Sequence, residues 1–91
     1  MDFTLKVYEA IASLLEDKSV QVGDDMPLIG GDSLLDSMRL VELCLLLEDI
    51  AGEHGFDFDW TSSAAMSRSR SMFRSARALA DEFNAQIQAR Q

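Results

Sequence analysis

Apolar residues recur at three- and four-residue intervals in three separate stretches of this 91-residue chain, and that helical spacing limits what the chain can fold into. Phe3, Val7, Tyr8, Ile11, Leu14 and Leu15 form the first stretch, with Asp2 or Thr4 placed to cap it, and predict a helix over about 2–17. The second runs over about 37–53, with Asp36 as N-cap and Gly52 and Gly55 at its close. Ala76, Leu79, Ala80, Phe83 and Ile87 mark the third, over about 75–88, opened by Ser71 or Ser75. Between the first two, over 18–36, the periodicity stops. Gly23, Asp24, Asp25, Pro27, Gly30, Gly31 and Asp32 supply turn chemistry there, so this is a long ordered loop held to the core by Val20, Val22, Leu28 and Ile29. Loops of this length usually carry function. Phe56, Phe58 and Trp60 alternate with Asp57 and Asp59 before a run of small residues, which reads as a loop leading into a short helix over about 61–66. The expected fold is all-α, a single domain over 1–91 built as a bundle of three main helices and one short one.

A chain this short holds one small core, which excludes large enzyme scaffolds. Its 47% hydrophobic and 26% charged residues are those of a globular domain. The single Cys44 has no partner for a disulfide, and the first residues lack the basic start and apolar run of a signal peptide, so a cytoplasmic protein is expected. Leu40–Leu47, broken by Glu42, is far short of the roughly 18 residues of a membrane span. The net charge of -8 disfavours nucleic acid and anionic lipid and favours partners with basic surfaces. Fourteen of the sixteen acidic residues lie in 1–59 against three basic ones, whereas 60–91 holds two acidic and five basic. Nothing in the pattern demands more than a monomer.

The second helix has two distinct faces at about 100° per residue. Leu40, Leu43, Cys44, Leu46, Leu47 and Ile50 gather on one, wide enough for the centre of a helical core. Met38, Val41, Glu42, Leu45, Glu48 and Asp49 gather on the other, where apolar knobs interleave with carboxylates on a surface the core does not need. Such a surface suits a docking partner.

Catalytic chemistry finds little support. His54, the only histidine, sits in a glycine-flanked turn without metal-ligand or triad spacing, and Cys44 falls on an apolar face where a thiol is an inert small hydrophobe. Gly31, Asp32, Ser33 and Leu34 match the signature of one esterase family, but the chain lacks the scaffold and the histidine base that a nucleophilic Ser33 needs. Asp24, Asp25, Asp32 and Asp36 do not follow the alternating ligand positions of a calcium loop. The Arg-Ser run over 67–71 is too short, inside so acidic a domain, for a nucleic-acid surface.

One serine at the junction of the long loop and the second helix stands apart. Asp36, Ser37 and Met38, followed after Arg39 and Leu40 by Val41, Glu42 and Leu43, resemble the Asp-Ser-Leu motif of the acyl carrier protein family and its x-x-Val-Glu-Leu continuation, without a gap. The run over 34–38, Leu-Leu-Asp-Ser-Met, also resembles the D-alanyl carrier proteins. The resemblance spans the first, second and last helices and implies an acyl-carrier-like bundle, with Ser37 bearing covalent 4'-phosphopantetheine between Asp36 and Met38. A phosphodiester suits that position physically, because a helix N-terminus offers free amides and the positive end of the dipole. Ser33 is an alternative attachment point, since residues 30–35 look like the Gly-Gly-Asp-Ser-Leu core of peptidyl carrier domains, but the downstream pattern is then shifted by one residue.

The resemblance further implies a protein that is not an enzyme. It would carry an acyl or aminoacyl thioester between enzymes of a fatty-acid, polyketide or other specialised pathway. Its partners would be a phosphopantetheinyl transferase and acyl-loading and acyl-using enzymes with basic docking patches. Val41, Glu42, Leu45, Glu48 and Asp49 correspond to the docking surface of such carriers. Hydrophobic cargo would lie against Leu40, Leu43, Leu47, the Trp60 loop and the last helix. Met38 and Arg39 depart from the common pattern of fatty-acid carriers, which points to a different set of partners, and the segment over 55–72 is longer than in a standard carrier. The competing expectation is a helical interaction adaptor that uses the apolar-acidic face of the second helix and is never modified.

Overall fold

The structure is a computed structural model that describes residues 2–15, 19, 21–29, 35–67 and 69–89, without the side chains of Ala64, Met66, Ser69 and Arg70. Val20 and the whole of 30–34, Ser33 included, lie outside the described residues. Among the described residues the fold is all-helical with no strand, and three long helices carry it: α1, Thr4–Leu14; α2, Ser37–Glu53; and, after two short segments α3, Ser63–Ser67, and α4, Ser69–Met72, the last helix α5, Ala76–Ala89. Helical residues over 63–67 and 69–72 thus stand where a short helix is expected over about 61–66. The radius of gyration of 12.3 Å equals the roughly 12 Å of a compact chain of this length.

The helix ends follow local chemistry. The N-cap of α1 is Phe3, without a side-chain cap, and not Asp2 or Thr4 as expected; Asp2, one residue earlier, accepts hydrogen bonds from the Thr4 amide and hydroxyl instead. Ser75 opens α5 by accepting from the Ala78 amide at 3.1 Å, in preference to Ser71. At the end of α2, the Phe56 amide reaches the Ala51 carbonyl at 3.0 Å and the Gly55 amide reaches that of Gly52 at 3.2 Å, the double bond of a Schellman motif. Gly55 holds the left-handed conformation this needs, with φ of 79°. α1 closes earlier than its periodicity suggests, because Leu15 turns to extended backbone with ψ of 137°.

α1 packs against both α2 and α5. Phe83 of α5 is fully buried, with Phe3, Phe56 and Phe58 around it at centroid distances of 5.6, 5.4 and 5.3 Å. The alternation over 56–60 is therefore one of burial: Phe56 and Phe58 point inward while Asp57 stays exposed. Gln86 holds this segment to α5, accepting from the Asp59 amide at 2.7 Å and donating to the Asp59 carbonyl at 2.8 Å. The described part of the long loop is stitched to the α4–α5 junction. Leu28 donates to the Phe73 carbonyl, Ala76 to that of Met26 and Arg77 to that of Asp24, at 3.2, 2.9 and 3.1 Å. Leu28 is buried, as expected of a core anchor, with Val22 and Ile29 packed partly against the core.

Candidate functional site

The approach to Ser37 comes straight out of the core. Leu35 is buried, and the next three residues, Asp36, Ser37 and Met38, are exposed. Leu35 and Leu40 occupy the two positions of a hydrophobic staple and both pack with the core, which fixes where α2 begins. Asp36 has extended backbone, its carboxylate accepts from the Arg39 amide at 2.8 Å, and its carbonyl accepts the first intrahelical bond from Leu40 at 2.9 Å. Asp36 is thus the N-cap that its sequence position suggested. Ser37 is the first residue of the helix. The Ser37 and Met38 amides precede the first intrahelical bond, so the positive end of the helix dipole lies beside an exposed hydroxyl.

From this end an apolar-acidic face runs along α2. Met38, Val41 and Leu45 are 74, 45 and 50% exposed, an unusual outlay of large apolar side chains for so small a protein, and Glu42, Glu48 and Asp49 are exposed beside them. Ser37, Met38, Val41 and Glu42 line a shallow depression of about 320 Å³. The structure brings these residues onto one surface, except that Asp49 also borders a groove between α2 and α1.

Arg39 does not belong to that surface. Its Nη1 donates to the Leu14 carbonyl at 3.1 Å, so a cation caps the C-terminal end of α1. The sequence marks Arg39 as a departure from the common carrier pattern; the geometry shows it tying the start of α2 to the end of α1. Arg39→Ala is expected to destabilise the fold by about 1–2 kcal/mol, the usual worth of a charge-assisted hydrogen bond to a helix end, as read by urea denaturation. A change below a few tenths would show the contact to be idle.

The remaining candidates sit elsewhere. His54, at the C-terminal cap of α2, is about 25 Å along the helix from Ser37 and exposed, its ring edge against Phe3 at 4.7 Å, so it has no reach to the serine. Cys44 is buried, and burial, with Glu48 nearby, pushes its thiol up to about 12, which removes it as a nucleophile near neutral pH. No cluster of metal-ligating side chains occurs among the described residues. The expected cargo surface is largely closed: Leu43 and Leu47 are completely buried, while Leu40 and Trp60 are half-buried. Trp60 Nε1 is buried without a hydrogen-bond partner among the described residues, a feature that no sequence signal announces. No helix among the described residues is long and apolar enough to cross a membrane. No protein-family model matches the chain, and neither a curated protein nor a solved structure does.

Proposed function

We propose that this chain is a carrier protein of the acyl carrier type, a small helical bundle whose Ser37 takes covalent 4'-phosphopantetheine. The observation that carries the reading is Ser37 itself: an exposed hydroxyl at the first position of a long helix, behind an Asp36 cap and beside the exposed face begun by Met38. These residues fit the group. Asp36 occupies the third amide of the helix, which leaves the first two to face a phosphodiester, and the exposed hydroxyl is open to a transferase among the described residues. When bound, the prosthetic group supplies a terminal thiol that holds an acyl or aminoacyl unit as a thioester, so the chain needs no catalytic residue of its own.

The rest of the work falls to α2. Met38, Val41 and Leu45 offer apolar contacts, and Glu42, Glu48 and Asp49 select basic partner surfaces and speed their encounter. Contacts of this exposed kind are transient, which suits a protein that must leave each enzyme after delivery. The pathway is taken to be fatty-acid, polyketide or specialised acyl metabolism, inside the cell, with the carrier acting as a monomer.

Replacing Ser37 by Ala is expected to abolish labelling by a phosphopantetheinyl transferase supplied with a fluorescent coenzyme A analogue. Stability should change by less than about 0.5 kcal/mol, because the side chain is exposed. Ser33→Ala should label normally. If Ser37→Ala labels and Ser33→Ala does not, the attachment site is wrong; if the unaltered chain is never labelled, the exposed face of α2 belongs to an unmodified adaptor.

A further inference from the structure

A second groove, which shares only Asp49 with the Ser37 surface, lies between α1 and α2, with a volume of about 290 Å³. Its floor is aliphatic, formed by Ala10 of α1 and Leu46 and Ile50 of α2. Its rim is charged: among the described residues Glu9, Asp49 and Glu53 surround it against one cation, Lys6. The groove residues of α2 are about 14–24 Å along the helix from Ser37, so an occupant here leaves the serine and the Met38 depression open.

The size and the charge together define what fits. At the bottom of the range of roughly 300–1,000 Å³ typical of small-molecule pockets, and open along the two helices, the groove does not enclose a metabolite. It does match the space that two helices leave for a side chain of a third, the helix-in-groove mode of recognition. Three carboxylates against one lysine, within a region of fourteen acidic and three basic residues, attract a cationic partner and repel an anionic one.

We propose that the α1–α2 groove is a second docking surface, and that its occupant is a basic amphipathic helix of a partner protein that seats one large aliphatic side chain on Ala10, Leu46 and Ile50. Lysines or arginines flanking that side chain meet Glu9, Asp49 and Glu53. Because Ser37 takes no part, this surface operates whether or not the serine is modified, and a carrier docked here keeps its modified end free for a second enzyme.

The test uses the full unmodified chain, isotopically labelled for resonance spectroscopy, and two short helical lysine–alanine peptides that differ only in a central leucine or alanine. The leucine peptide is expected to shift the amide resonances around Ala10, Leu46 and Ile50, and to bind about tenfold more tightly than the alanine peptide, in proportion to the apolar surface it buries. Reversing the exposed rim charges in Glu9→Lys/Glu53→Lys should weaken it about tenfold. Equal binding of both peptides, which reports only the acidic surface, overturns the proposal. So do shifts centred on Met38, Val41 and Leu45, or no shifts at all. None of these outcomes involves coenzyme A, so the result stands apart from that for Ser37.

Discussion

Phe83→Ala is expected to remove about 3–5 kcal/mol of stability, the common cost of emptying a core phenylalanine site. That loss is a large share of the roughly 5–15 kcal/mol that keeps a small domain folded, so the variant should be largely unfolded at mild urea concentrations. The cost is high because Phe83 has neighbours from three parts of the chain. Phe3 precedes α1, Phe56 follows the Schellman turn of α2, and Phe58 lies on the segment that Gln86 pins to α5. Removing the ring opens a void bordered by all three, and none of them is free to collapse into it without giving up its own anchor. Phe83→Leu, which keeps most of the volume, should lose markedly less. The urea midpoints of the two variants check this; equal losses would mean that the aromatic cluster is not the organising contact of the core.

Glu42→Lys/Glu48→Lys is expected to produce the largest functional change short of losing the serine. Both side chains are exposed on the face of α2 that begins at Ser37, and reversing them changes the local field by four charges without disturbing the core. Encounter with a basic transferase surface should slow about 10–100-fold at low salt, since steering of this kind acts mainly on the association rate. The difference should narrow sharply as ionic strength rises and the screening length falls to a few ångströms. Thermal stability should be nearly unaffected. The measurement is the labelling rate at several salt concentrations, and a deficit that persists unchanged in high salt would assign these residues to something other than steering.

The elements that the sequence announced most clearly are those whose signals are local. α2 was legible because Asp36 at one end, Gly55 at the other and an apolar stripe between them all act within a few residues of the helix. Ser75 was one of two equally good caps, and only the packing of Met26 and Asp24 against the first amides of α5 shows why the helix begins there. The end of α1 lies earlier than the periodicity suggests because Leu15 turns to extended backbone, and the contact of Arg39, 25 residues away, with the Leu14 carbonyl at that end is one that no periodicity reveals. The 56–60 segment shows the same division: its alternation is visible in sequence, but its attachment depends on Gln86, 27 residues downstream of Asp59. The small-residue region after it carries no amphipathic period, so its short helix is expected over about 61–66, whereas helical residues reach Met72.

The candidate site divides likewise. The position of Ser37 followed from its place after a capping Asp and before the helical stripe, and the exposure of Met38, Val41 and Leu45 followed from the helical wheel. Two features required coordinates: the inward turn of Arg39 and the second groove beside α1. Each depends on how two helices meet rather than on either helix alone.

The most direct test of the account is the intact mass of the purified chain before and after incubation with coenzyme A, magnesium and a broad-specificity phosphopantetheinyl transferase, followed by peptide mapping. The account predicts a single phosphopantetheinyl increment, carried by the peptide that contains Ser37. An unchanged mass under conditions that fully modify a control carrier, or an increment mapped to Ser33, would contradict it.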